Sequence, residues 1–373
     1  MRGKKIGVII PTHWSWVLGG AEYQVSLITE HLAADNRFDI TVFARHVDPS
    51  FSPENYAIKK IQPGRFFSRY AKIFDGKNLL SALKDIRPDI IYQRSGSAYT
   101  GICAWYAQKN RIPMVWHISH DMDVTPKMGT KKFPFELAEK KCLEYGIRRA
   151  THIIAQTDKQ ALLLKNNYGR TANQIIRNFH PLPDANESIS KGEKTKIVWI
   201  ANFKPMKQPE LFVRLAKELE SIIDAQFIMI GKISNRKQYG QLLEDIHSIK
   251  SLNYIGEQPQ EKVNQILSES HFLINTSTSE GFSNTFIQAW MREVPVITIT
   301  VDPDNIIKNN EIGVCAGSYE KLKDTVVDLV RSPKRRVYMG QKGKQYADEN
   351  HSMKNIDRIQ ETLARLLSTT ASS

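Results

Sequence analysis

The densest group of chemically capable residues is Ser279-Glu280-Gly281-Phe282-Ser283-Asn284-Thr285-Phe286-Ile287-Gln288-Ala289-Trp290, running on into Val294-Pro295-Val296-Ile297. An acidic residue opens a small glycine-containing loop, and a short apolar helix and a buried strand follow. A helix beginning right after such a loop leaves backbone N–H groups free to meet an anion. Glu280 sits at the mouth of the loop. Gln288 lies about two helical turns deeper, within reach of the same ligand. The set suits a ligand carrying both a phosphate and several hydroxyls, as a nucleotide sugar does.

Two other loops could meet the same ligand. Pro11-Thr12-His13-Trp14-Ser15-Trp16-Val17-Leu18-Gly19-Gly20-Ala21-Glu22 follows the first apolar run. Gly19 and Gly20 allow close backbone approach, and the helix start after them offers N–H donors. The second loop is Asn202-Phe203-Lys204-Pro205-Met206-Lys207-Gln208. A point charge on Lys207 suits a developing phosphate anion. A third candidate region is Val115-Trp116-His117-Ile118-Ser119-His120-Asp121-Met122-Asp123. His117 falls within the strand and is assigned to packing, which leaves His120 at the strand end.

The Glu280…Gln288 stretch resembles the Glu-x7-Glu signature of the retaining glycosyltransferases of family 4, the group 1 glycosyl transferases. Members read close to Glu-Gly-Phe-Gly…Glu-Ala-Met…Gly-Val-Pro-Val. The resemblance spans most of the chain, from Gly19-Gly20, similar to the family's Gly-Gly-x-Glu loop, to Val294-Pro295-Val296. It implies an α/β chain of GT-B fold, two Rossmann-like parallel-sheet domains facing a central cleft. It also implies transfer of a sugar from a nucleotide-diphosphate sugar to a glycan or lipid-linked acceptor, with retention, in polysaccharide or glycolipid synthesis.

The resemblance implies roles residue by residue. His120, Lys207 and Glu280 carry catalysis. Lys207 neutralises the departing diphosphate, and Glu280 bonds sugar hydroxyls or supports the oxocarbenium-like state. Donor binding falls to Gly19, Gly20, Asn202, Lys204, Gly231, Glu257, Gly281, Phe282, Ser283, Asn284 and Gln288. Glu22, Asp121 and Asp123 are expected to meet acceptor hydroxyls. Two positions depart from the pattern. Asn202 stands where members carry an Arg of the diphosphate clamp, with Lys204 as a substitute charge. Gln288 stands where members carry the second Glu, and it keeps both hydrogen-bond functions without the charge. Asp121-x-Asp123 also matches the metal-binding string of glycosyltransferases of the other fold. The two-domain pattern argues against that fold, so no metal or other cofactor is expected.

Size and charge agree with this reading. The 373 residues are enough for two domains. Three cysteines, Cys103, Cys142 and Cys315, have no disulfide or zinc spacing. The net charge of +13 is uneven: residues 1–190 hold 27 basic and 17 acidic side chains, and residues 191–373 hold 25 and 22. A basic half points to an anionic partner, either a phosphorylated substrate or a membrane surface. Nucleic acid is not expected, because no helix-turn-helix, zinc finger or aromatic RNA-binding motif is present. Arg65-Phe66-Phe67-Ser68-Arg69-Tyr70-Ala71-Lys72-Ile73-Phe74 places Arg65, Arg69 and Lys72 on one helical face, with Gly76 limiting the helix; it would suit an anionic membrane. The longest uncharged stretch, Ile6 to Ala21, contains Pro11, His13, Gly19 and Gly20 and does not span a bilayer. The expected location is the cytoplasm, with peripheral contact to the inner face of a membrane.

Apolar runs alternating with amphipathic patterns predict parallel sheets covered on both faces. Expected strands are Ile6–Ile10, Ile40–Ala44, Ile90–Tyr92, Met114–Ile118, His152–Ala155 and Gln174–Arg177, then Ile197–Ala201, Gln226–Ile230, Asn253–Ile255, Phe272–Asn275 and Val296–Ile299. A polar, proline-containing linker over Pro181–Lys196 separates an acceptor domain, 1–185, from a nucleotide-sugar domain, 190–373. A helical tail over Pro333–Leu367 is expected, and in the family the last helix commonly crosses back. The competing readings are a catalytically weak nucleotide-sugar-binding homologue and a GT-B nucleotide-sugar epimerase.

Overall fold

The structure, a computed structural model, describes residues 3–63, 72–126, 134–183 and 189–370. The chain divides into two compact units. The first is Met1–Asn178 together with Lys354–Ser373; the second is Phe179–Met353. The division falls at Asn178, earlier than the 185–190 expected from composition. Residues 179–183 belong to the second unit, and 184–188 lie outside the described residues.

In the first unit the strands are β1 (Lys4–Ile9), β2 (Phe38–Ala44), β3 (Ala57–Lys60), β4 (Ile90–Arg94), β5 (Met114–His117), β6 (His152–Ala155) and β7 (Gln174–Ile175). All pair in parallel, in the order β3-β2-β1-β4-β5-β6-β7. β4, β5 and β6 are buried along their whole length; Ile90–Tyr92, Met114–Trp116 and Ile153–Ala155 read as apolar runs, and Gln93, Arg94, His117 and His152 are polar residues buried with them. The helices are α1 (Gly20–Ala33), α2 (Gly76–Ile86), α3 (Ala98–Asn110), α4 (Asp121–Val124), α5 (Pro134–Arg149) and α6 (Asp158–Tyr168). Because β1 has β2 on one side and β4 on the other, the loops after β1 and β4 part from each other. Ligands of open parallel sheets enter at such a switch point, outside the carboxyl ends of the strands.

The second unit repeats this plan with β8 (Thr195–Ile200), β9 (Ala225–Ile230), β10 (Leu252–Tyr254), β11 (Phe272–Asn275), β12 (Val296–Thr298) and β13 (Gly313–Cys315). Their order is β10-β9-β8-β11-β12-β13, again all parallel, with the switch point between β8 and β11. Helices α7 (Pro209–Leu219), α8 (Arg236–Ser248), α9 (Gln260–Glu269), α10 (Asn284–Trp290), α11 (Ile306–Asn310), α12 (Tyr319–Arg331) and α13 (Pro333–Asn350) cover it. Successive strand residues point to opposite faces. Trp199 accordingly joins Phe212, Phe227 and Leu322 on one side, and Val198 joins Leu273, Phe286 and Trp290 on the other.

The expected single tail is two helices. After α13 comes α14 (Lys354–Thr370), which is assigned to the first unit. Its apolar stripe buries Ile356, Ile359, Leu363 and Leu367. Arg358 Nη2 donates to the Ile175 carbonyl at 3.0 Å, and Gln360 Oε1 pairs with His31 Nε2 at 2.7 Å. Gly76 was expected to end a helix; it begins α2, straight after a 3-10 turn over Lys72–Asp75. Lys72 lies in that turn, its backbone N–H bonded to Glu139, whereas Arg65 and Arg69 lie outside the described residues.

Candidate functional site

The loop after β8 carries Lys207, and the loop after β11 carries Glu280. The two side chains form an ion pair through Lys207 Nζ and Glu280 Oε1. Both are largely shielded, with side-chain exposures of 20% and 10%. The loops are also stitched through their backbones. Thr276 Oγ1 contacts the Lys207 carbonyl at 2.6 Å, and Thr278 N–H donates to the Met206 carbonyl at 2.9 Å. Trp199 Nε1 donates to Thr276 Oγ1 at 2.9 Å, tying the loop to β8. Lys207 ends a 3-10 turn over Pro205–Lys207, and Gln208 then takes a left-handed conformation (φ 46°) that starts α7. Such backbone strain persists where surroundings over-determine it. The result is a cation and a carboxylate held rigidly at the switch point.

The remaining residues expected on the donor side divide by environment. Asn202 Oδ1 accepts the Lys232 N–H at 3.0 Å, so its carboxamide braces the loop after β9. Gly231 (φ 151°) sits where a Cβ would lie 1.8 Å from the Ala201 carbonyl oxygen, and only glycine permits that approach. Lys232 pairs with Glu257 at 3.3 Å, with both side chains about half exposed. Lys204 is exposed. Gln288 is 3% exposed and donates from Nε2 to Asn264 Oδ1 at 2.9 Å. Ser283 Oγ pairs with Thr285 Oγ1 at 2.8 Å in front of Asn284, where α10 begins, and Gly281 is buried. Phe282 is buried, its ring 4.7 Å from the His351 ring.

In the first unit, Gly19 is the extended residue before α1, and the Glu22 carboxylate folds back over it. Ser95, left-handed at φ 72°, follows β4, and its hydroxyl pairs with the Ser119 hydroxyl at 2.8 Å. His120 caps α4, accepting the Met122 N–H on Nδ1 at 3.0 Å, while its buried Nε2 has no hydrogen-bond partner among the described residues. The two aspartates expected to bind an acceptor are both engaged elsewhere. Asp121 pairs with Lys159 at 2.8 Å and accepts from Gln160 Nε2 at 3.3 Å. Asp123 Oδ2 accepts the N–H and hydroxyl of Ser119, each at 2.9 Å, and the His120 N–H at 3.1 Å. For Asp123 the physical reason is the start of α4, where the preceding loop's N–H groups need an acceptor; Asp121 is held by two side chains of α6. The two carboxylates therefore turn to different partners.

His117 is buried in β5 as expected, bonded through Nδ1 to the Tyr92 hydroxyl at 2.7 Å. Burial first, and Arg94 second, hold it well below the ordinary histidine range. His13 was passed over in the sequence, yet it is fully buried, stacked on Trp14 at 3.8 Å, and pushed down to about 4 by burial. Asn275 and Ser277, which support Glu280, and Thr276, which holds the Lys207 backbone, were also passed over. Their only signal is polarity immediately after an apolar strand, Phe272-Leu273-Ile274.

Comparison with known proteins agrees with the fold. The profile of Glycosyl transferases group 1 matches residues 183–346, and that of Glycosyltransferase Family 4 matches residues 18–179. N-acetyl-alpha-D-glucosaminyl L-malate synthase of Bacillus anthracis is 22% identical over 281 residues, 70% of this chain and 71% of that protein. A glycosyltransferase 1 domain-containing protein of Xenopus tropicalis is 24% identical over 42% of this chain, and the match spans less than half of that protein's length, 46%. Sucrose-phosphate synthase from Thermosynechococcus elongatus superposes with a TM-score of 0.79 at 15% identity, over 99% of this chain and 100% of that chain. Anabaena HepE in complex with UDP and glucose superposes at 0.75 and 16% identity, over 97% and 100%. With both of its halves matched, the chain belongs to the group 1 glycosyl transferases of glycosyltransferase family 4, enzymes of the GT-B fold.

Proposed function

We propose that this protein moves a hexosyl or related sugar from a nucleoside-diphosphate sugar to a glycan or lipid-linked acceptor, with retention, in cell-surface polysaccharide or glycolipid synthesis. The observation that carries the reading is the Lys207–Glu280 pair at the β8/β11 switch point. A shielded ammonium there meets the charge that grows on the β-phosphate as the glycosidic bond breaks. Glu280 presents a carboxylate to sugar hydroxyls or to positive charge at the anomeric carbon. Gln288 and Glu257 are assigned to the nucleoside, with the backbone of Gly231 and of Gly281 to Asn284. The loops after β1, β4 and β5, with Gly19, Gly20, Glu22 and His120, are assigned to substrate groups met by the first unit. No metal is assigned a role. Support for a uridine nucleotide comes from the solved relative that holds UDP and glucose.

The test is to incubate the protein with UDP- and GDP-sugars and measure released nucleoside diphosphate, then read the anomer of the product by NMR. Release with a retained anomer supports the assignment, and an inverted product removes the retaining part of it. A second reading, a homologue that binds donor with little turnover, is favoured by Asn202 and Gln288, whose carboxamides are already engaged with Lys232 and Asn264. Nucleotide-sugar binding without release would select it. Peripheral membrane contact through the segment holding Arg65, Arg69 and Lys72, on the cytoplasmic side, remains part of the proposal and is checked by vesicle sedimentation. Among the described residues no helix is long and apolar enough to cross a membrane.

A further inference from the structure

We propose that Asn275 is a positioning residue for Glu280, and that with Ser277 it fixes which carboxylate oxygen faces substrate. The proposal rests on the donor-site reading above. Three donors converge on Glu280 Oε1: the Lys207 ammonium, the Ser277 hydroxyl at 2.8 Å and Asn275 Nδ2 at 3.3 Å. A carboxylate oxygen offers about two lone-pair sites. Oε1 is therefore saturated, and the acceptor capacity left for a sugar hydroxyl lies on Oε2.

Asn275 holds both ends of this arrangement. Its Oδ1 accepts the Ser277 N–H at 3.0 Å, which bends the chain just beyond β11 and sets the Ser277 hydroxyl. Its Nδ2 reaches Glu280 itself. The residue is 7% exposed at the end of a strand that otherwise reads Phe-Leu-Ile. A polar group buried there costs free energy unless bonded, and a carboxamide offers the donor and the acceptor that both bonds need. Asn275 touches no substrate in this account; it acts through Glu280. Without it, the carboxylate keeps its charge and loses its fixed orientation.

The experiment compares wild type, Asn275→Ala, Ser277→Ala, Ser277→Thr and Glu280→Ala. Turnover is read as nucleoside diphosphate released from UDP-glucose, UDP-N-acetylglucosamine and GDP-mannose; affinity for UDP and for the UDP-sugars is read by calorimetry. Asn275→Ala is expected to lower kcat about 10- to 100-fold, the scale of a misplacement of about 1 Å, with UDP affinity within about twofold of wild type. Ser277→Thr, which keeps the hydroxyl, is expected to retain most of the turnover that Ser277→Ala loses. Asn275→Ala is also expected to weaken UDP-sugar binding several-fold alone and not at all in the Glu280→Ala background, since the coupling runs through Glu280. Wild-type turnover with an unaffected Asn275→Ala overturns this proposal alone, as does an equal loss of UDP and UDP-sugar affinity, or a loss that persists without Glu280. A wild-type protein that binds no nucleotide sugar overturns the donor-site reading, and this proposal with it.

Discussion

Lys207 and Glu280 stand 73 positions apart in sequence and are ion-paired on the two loops that part at the switch point of the second sheet. The pair does not depend on one contact. Glu280 is also held by Ser277 and Asn275, and the Lys207 backbone by Thr276. Removal of either charge should therefore leave the loops in place, which separates chemistry from folding.

Lys207→Ala is expected to lower kcat by about 10²–10³-fold, the usual loss when one preorganised group facing developing charge is removed. Glu280 keeps two hydrogen bonds in this variant, so stability should fall by only about 1–2 kcal/mol. Turnover with a denaturation midpoint measured on the same sample checks both numbers. Unchanged kcat would take Lys207 out of the site.

Gly231→Ala probes the loop that Asn202 braces. The new Cβ would overlap the Ala201 carbonyl, and φ 151° is hostile to any side chain. The expected cost is about 3 kcal/mol or more, with β8 and β9 forced apart at their carboxyl ends. A shift under 1 kcal/mol in urea unfolding would contradict this geometry.

Buried histidines, His13 and His271 among them, set a pH dependence. Burial lowers His13 in the first unit and His271 in the second to about 4 from an ordinary 6.5. Between those values the unfolded chain binds more protons than the folded one, so stability rises with pH. The contribution is full above pH 6.5 and is lost as pH falls towards 4, on the order of 3 kcal/mol per histidine. Unfolding followed from pH 4.5 to 7.5 should show this slope, and His271→Gln should make it shallower. A slope of opposite sign would mean that the two rings are protonated in the folded protein.

Much of the fold was legible because parallel strands are buried on both faces and read as apolar runs, from Ile6 to Val296. What escaped had a physical reason. β3 is an edge strand, Ala-Ile-Lys-Lys, with both ends exposed. β13 is three residues long and opens on Gly313. Gly76 begins α2, although glycine more often marks a stop. In the site, Lys207 and Glu280 stood out as charges beside strand ends. Their supports did not, because Asn275 and Ser277 act through bonds that exist only once the loop is bent. Asp121 and Asp123 look available for substrate in sequence, yet their partners, Lys159 and Ser119, become clear only when α4 and α6 are in place.

The most direct test of the proposal that the Lys207–Glu280 pair meets a sugar diphosphate is calorimetric titration of UDP-glucose and GDP-mannose into wild type and Lys207→Ala. Wild type is expected to bind at least one donor saturably, with binding weakened at least about tenfold in the variant, or about 1.4 kcal/mol. Equal affinity in both proteins, or no binding by wild type at millimolar donor, would contradict it.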